Sequence, residues 1–226
     1  MFLSSIYITL ELVLVLVVIA GLYNYSRLLK LRHLLMTGFL FYIFFLASKI
    51  NLLPLGKVFG WMEHNTIIFY CLLPSVIVSQ IIEEIHKTNP KFLVDTTKII
   101  NLPGFPKIAP LILYPLLSVP LQEIIFRWFY VGRLESASLP MMLTLLISSL
   151  VFGIVHLPFG SKSLFIGTFL AGIWWGALYI MTGNLWYPII SHAILGEMLI
   201  WLALFKTEKI SNPTPRSDGH RTVPLP

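Results

Sequence analysis

Charge is scarce in this sequence. Lys, Arg, Asp and Glu together make up 12% of its 226 residues, about half the ~25% of a soluble domain. A chain this poor in charge cannot coat a water-facing globule. Cysteine is almost absent as well: Cys71 stands alone, which excludes an internal disulfide and reads as a buried, inert thiol. No Gly-rich phosphate loop, zinc-finger spacing, internal repeat or HExxH run is present. The net charge of +6 comes from scattered Lys and Arg rather than a basic stripe, so no nucleic-acid partner is expected.

What is present is apolar sequence, 57% by residue. A membrane-crossing helix needs roughly 17–25 mainly apolar residues, and seven stretches qualify, at about 4–25, 34–53, 66–85, 108–131, 140–158, 163–182 and 184–205. The expected fold is an all-α, polytopic membrane helical bundle of about seven transmembrane helices, with the lipid bilayer as solvent. The polar segment 86–107 separates three front helices from four back ones. Three regions are expected: residues 1–107 as an N-terminal three-helix region with its polar linker, 108–205 as a helical core, and 206–226 as a disordered tail.

The sign of the charges orients the chain. With the N-terminus outside, the inner segments carry Arg27, Lys30, Arg32, Lys87, Lys91, Lys98, Lys107, Lys162, Lys206, Lys209, Arg216 and Arg221. The outer segments carry Lys49, Lys57 and Arg133. This is the positive-inside pattern, with a cytoplasmic C-terminus. Glu11 inside the first apolar run, and the basic cluster after it, argue for a retained helix rather than a cleaved signal. Glu83 and Glu84 fall where the third helix leaves the membrane and read as a solvated helix end.

Three polar sites interrupt the back helices. "LQEIIFR" places Gln122, Glu123 and Arg127 in apolar sequence, although an ionised side chain at the centre of a membrane helix costs about 2.5–3.5 kcal/mol. Glu123 and Arg127 are four residues apart, so they share a helix face and can pair. "FGIVH" places Phe152 and His156 on one face. "SHAILGE" holds His192, then Gly196 and Glu197. Taken singly, each histidine is a packing residue and the ion pair is structural. Taken together, with Pro120, Pro158 and Pro188 close by, they describe a polar site within the membrane. A carboxylate and two imidazoles suffice to activate water for peptide hydrolysis. The same trio also suits a His₂Glu zinc set, but three separate helices supply it without local ligand spacing. No cofactor is therefore expected, with zinc as the alternative.

In this order, the three sites resemble the CAAX-protease and bacteriocin-processing (CPBP, or Abi) family, whose motifs are EExxxR, FxxxH and HxxxN or HxxxD. The resemblance covers roughly 108–205. It implies a glutamate-type intramembrane endopeptidase acting on a membrane-embedded, prenylated or bacteriocin-type substrate, in a prokaryotic inner membrane. Glu123, Arg127, Phe152, His156 and His192 match the pattern. Gln122 stands where the family has its first glutamate, taken as the water-activating base, and Gly196 where it has Asn or Asp. The expected catalytic residues are Glu123, His156 and His192, supported by Gln122, Arg127, Phe152 and Glu197. Two other classes remain open. One is a catalytically inactive relative acting in bacteriocin immunity or as a membrane-protein partner. The other is a small transporter, which lacks support from repeated halves.

Depth is the difficulty in this assembly. A ladder of straight spans at about 1.5 Å per residue places Glu123 and His192 about 12 Å from the outer face and His156 about 24–27 Å from it. Convergence then requires tilted helices, or a broken or re-entrant segment around 108–119.

Overall fold

The computed structural model describes residues 58–88, 108–157 and 162–202, with the isolated positions Ile6 and Leu10. Apart from Ile6 and Leu10, the spans expected at 4–25 and 34–53 lie outside the described residues, as do residues 89–107 of the linker, Pro158 and the tail 206–226. Within them the structure is helical, with no strand. Helix α1 runs over 64–88, α2 over 109–136, α3 over Met141–Ile154, α4 over Lys162–Thr182 and α5 over Trp186–Trp201.

Among the described residues, three helical stretches are long and apolar enough to cross a membrane: His64–Ile85, Leu111–Ser136 and Lys162–Thr182. Their outer surfaces carry Phe69, Tyr70, Leu116, Leu117, Ile166 and Leu170, all exposed. Such a surface would associate in water, whereas acyl chains solvate it. The protein is an integral membrane protein.

Prolines set the local shape of α1 and α2. A proline inside a helix lacks the N–H of its turn, and its ring presses on the carbonyl four residues back. Widening the turn to the π pattern relieves both. The π segment Ile67–Leu72 precedes Pro74, and Tyr114–Ser118 holds Pro115 and precedes Pro120. A third π segment, Ile124–Val131, follows Glu123 and carries Arg127. From Ala109 the segment is thus a continuous helix with a widened turn, without a break.

Helix α3 is shorter than the span expected at 140–158. It ends at Ile154, not near 158, so its 14 residues span only about 21 Å of a roughly 30 Å hydrocarbon layer. His156 lies in the turn beyond, where its N–H donates to the Gly153 carbonyl at 2.9 Å.

Helices α3 and α4 pack through small residues, as membrane helices do when their backbones approach closely. A Cβ at Gly172 would sit 3.1 Å from Ser149 Cα. This contact presses Phe152 into the bundle, where it is fully buried. Helix α1 docks on α5 through the Ser75 and Ser191 hydroxyls, 3.2 Å apart, and the Cys71 thiol, which donates to the Tyr187 carbonyl at 3.4 Å. Cys71 is buried, as expected.

Candidate active site

Glu123 comes from the turn of α2 just before the π segment and is fully buried. Both its oxygens face other side chains. His192 Nδ1–H donates to Oε1 at 2.6 Å. A carboxylate can only accept, so Nδ1 carries the proton and, in the neutral ring, Nε2 carries the lone pair. Arg127 Nε lies 3.1 Å from Oε2 but falls outside hydrogen-bond alignment, so charge holds this contact. The Arg127 guanidinium is also fully buried. Its carbon lies 5.0 Å from the Phe152 ring centre, a cation–π placement. Among the described residues, Nη1 and Nη2 have no hydrogen-bond partner.

His192 is fixed on three sides. Glu123 holds Nδ1. The Tyr114 hydroxyl lies 2.9 Å from Nε2. The Trp175 ring stacks on the imidazole at 3.8 Å between centres and 19° between planes. Trp175 is positioned in turn by its indole N–H, which donates to Ser191 Oγ at 3.0 Å. Ser191 is the same residue that meets Ser75 of α1.

His156 joins through Phe152. The Phe152 ring lies 4.9 Å from the His156 ring and 5.9 Å from the His192 ring, edge to face in both cases. His156 Nδ1–H donates to the Phe152 carbonyl at 2.7 Å, which makes Nε2 the basic nitrogen. Unlike His192, His156 is only half-buried. Arg127 of α2, His156 of the turn after α3 and His192 of α5 therefore lie around the Phe152 ring, and Glu123 is held by two of them, Arg127 and His192.

The remaining expected residues lie differently. Gln122 is half-buried, and its amide N–H donates to Ser118 Oγ at 2.9 Å, one turn back on its own helix. Glu197 is partly buried, with Oε1 unpartnered among the described residues. It is not part of the hydrogen-bonded chain from Glu123 through His192 to Tyr114. Tyr114, Trp175 and Ser191 were not among the expected site residues. Nothing in their local sequence separates them from ordinary core residues.

Among the described residues, no three His, Cys, Asp or Glu side chains are grouped so as to hold a metal ion. Glu123, His156 and His192 share a neighbourhood without forming such a group.

A buried carboxylate–imidazole pair, a second imidazole with a basic nitrogen and a guanidinium define a membrane protein with acid–base groups gathered inside its bundle. Residues 104–196 match the family model described as Rce1-like, type II CAAX prenyl endopeptidase. Over this segment the resemblance read from the three motifs holds, and it points to CAAX-type intramembrane proteolysis as the activity class. No curated protein and no solved structure matches the chain.

Proposed function

We propose that the protein is an intramembrane endopeptidase that hydrolyses a peptide bond of a lipidated, CAAX-type or other membrane-embedded substrate. The observation that carries this reading is the Glu123–His192 hydrogen bond, completed by Arg127 and set beside His156, within the Rce1-like segment. Because Glu123 is enclosed and both its oxygens are engaged, it acts through His192, fixing the ring and its tautomer. His156 is the half-buried imidazole with a basic Nε2, and it takes the proton as water attacks the substrate carbonyl. The tetrahedral oxyanion then collapses with cleavage of the C–N bond. His156 returns the proton to the departing nitrogen, so water adds across the amide with no other reactant. Developing negative charge is met by the polar groups around His192 in a site largely closed to water.

Water activation here proceeds without metal. Both His192 nitrogens already have partners, Glu123 and Tyr114, and binding zinc would break one of those contacts. The wider frame belongs to the same proposal. It comprises seven spans in a prokaryotic inner membrane, a front three-helix region, a core at 108–205 and a tail in the cytoplasm. The Lys/Arg distribution supports this sidedness, and a reporter fused at Pro226 that works only outside the cytoplasm would reject it. An inactive relative remains the competing reading, and the departure at Gln122 favours it.

Purified protein in liposomes, given a farnesylated CAAX-type peptide and its unmodified counterpart, tests the activity. Release of the residues beyond the lipidated cysteine, detected by mass spectrometry, is the expected result. No cleavage of either peptide, nor of a transmembrane peptide panel, would leave the inactive reading standing.

A further inference from the structure

The departure at Gly196 has a structural counterpart in Tyr114. A Cβ built at Gly196 would collide with Tyr114 Cε1, and would lie only 2.6 Å from both Cζ and the hydroxyl oxygen. The Tyr114 ring thus fills the volume that any side chain at 196 would enter. Only the bare backbone of glycine permits that approach. From this position the phenol meets His192 Nε2 at 2.9 Å. Tyr114 is half-buried, whereas His192 is buried. The phenol hydroxyl therefore ends the chain Glu123–His192–Tyr114, on the more exposed of the two residues it joins.

We propose that Tyr114 is the hydrogen-bond donor of this site toward the substrate carbonyl, standing in the place left open by Gly196. This role deepens the protease reading above and rests on it. A phenol offers one proton and accepts through its oxygen. At rest that proton points to the neutral His192 Nε2. As water attacks, negative charge gathers on the substrate oxygen. A hydrogen bond to an anion is roughly twice as strong as one between neutral groups. The O–H then turns outward by rotation about Cζ–O and stabilises the oxyanion, keeping its proton throughout. The ring stays wedged against Gly196, so donor and His192 move as one unit. On this account glycine at 196 marks a donor moved from α5 to α2, and the site is altered rather than incomplete.

Tyr114→Phe is the decisive variant, because it keeps the ring and its packing on Gly196 and removes only the hydroxyl. Losing one oxyanion donor typically lowers kcat by about 10²–10³. With the farnesylated peptide, kcat should fall by that order while KM changes little. The pair Tyr114→Ala with Gly196→Asn should recover part of the loss, by opening the volume and placing an amide in it. Nitrogen-15 spectra of His192, assigned with His192→Gln, give a second readout in the intact protein. Tyr114→Phe should shift the Nε2 resonance to the position of an unbonded imidazole nitrogen. Cleavage by Tyr114→Phe at the wild-type rate would overturn the donor role, and an unmoved Nε2 resonance would overturn the contact. A wild type that cuts no probe would sink the protease reading and the donor role together, while the His192 spectra would still decide whether Tyr114 holds Nε2.

Discussion

Glu123 and His192, 69 positions apart in sequence, meet through a 2.6 Å hydrogen bond between a fully buried carboxylate and a buried ring. An Arg127–Glu123 ion pair alone would balance the charges within α2. The additional bond to α5 makes the carboxylate a tie between two helices as well as the partner of a cation.

That tie has a stability consequence. Glu123→Gln leaves the buried guanidinium without a counter-charge. Breaking one side of a buried ion pair costs about 3–5 kcal/mol. A clear drop in Tm in detergent is expected, and Glu123→Gln, Arg127→Met together should regain part of it. A single variant that melts with the wild type would show that the pair carries no such energy.

Packing of α3 on α4 can be tested at two glycines. A Cβ at Gly172 would sit 3.1 Å from Ser149 Cα, while a Cβ at Gly167 meets nothing within 4 Å. Gly172→Val should overpack the contact and destabilise by about 1–3 kcal/mol, also displacing Phe152. Gly167→Ala should be neutral or stabilise by up to about 1 kcal/mol, from helix propensity. Equal effects at both positions, read by thermal unfolding, would contradict this view of the interface.

Much of this was legible in the chain, for identifiable reasons. A charged pair in a membrane helix is costly enough to flag itself, so Glu123 and Arg127 were visible, as were His156 and His192 in apolar runs. The spans expected at 66–85, 108–131 and 163–182 fall on helices long and apolar enough to cross a membrane, whereas those at 140–158 and 184–205 fall on the shorter α3 and α5. The π segments and the early end of α3 were not legible, because they depend on how prolines and short helices are accommodated in three dimensions. Tyr114 was hidden for a related reason. Its role depends on the missing side chain at Gly196, 82 positions away, and no local pattern joins the two. In the function proposed here Glu123 acts through His192 rather than directly on water, because both of its oxygens are buried against His192 and Arg127.

Gln122 permits a gain-of-function test. It lies one residue before Glu123 and half-exposed, hydrogen-bonded to Ser118. Gln122→Glu would add a carboxylate that is not tied to His192. A positioned general base contributes about 10²–10⁴ in rate, and adjacent carboxylates shift each other's titration. The expected result is faster cleavage with a changed pH–rate profile. An unchanged rate and profile would show that a base at 122 has no path to the scissile bond.

Chelation separates the metal and metal-free readings. Dialysis against a strong chelator should leave the cleavage rate unchanged, since His192 is already engaged at both nitrogens. Loss of activity restored by stoichiometric zinc would assign the chemistry to a metal instead.

The most direct test of the central claim compares wild type, His156→Asn and His192→Gln in liposomes with the farnesylated peptide, each checked for an intact fold by its melting transition. An isosteric amide at 156 removes the proposed base, and one at 192 removes the ring between Glu123 and Tyr114. The account predicts cleavage by wild type and a loss of about 10²-fold or more in each variant, with folding retained. Wild-type cleavage that persists undiminished in His156→Asn would contradict it.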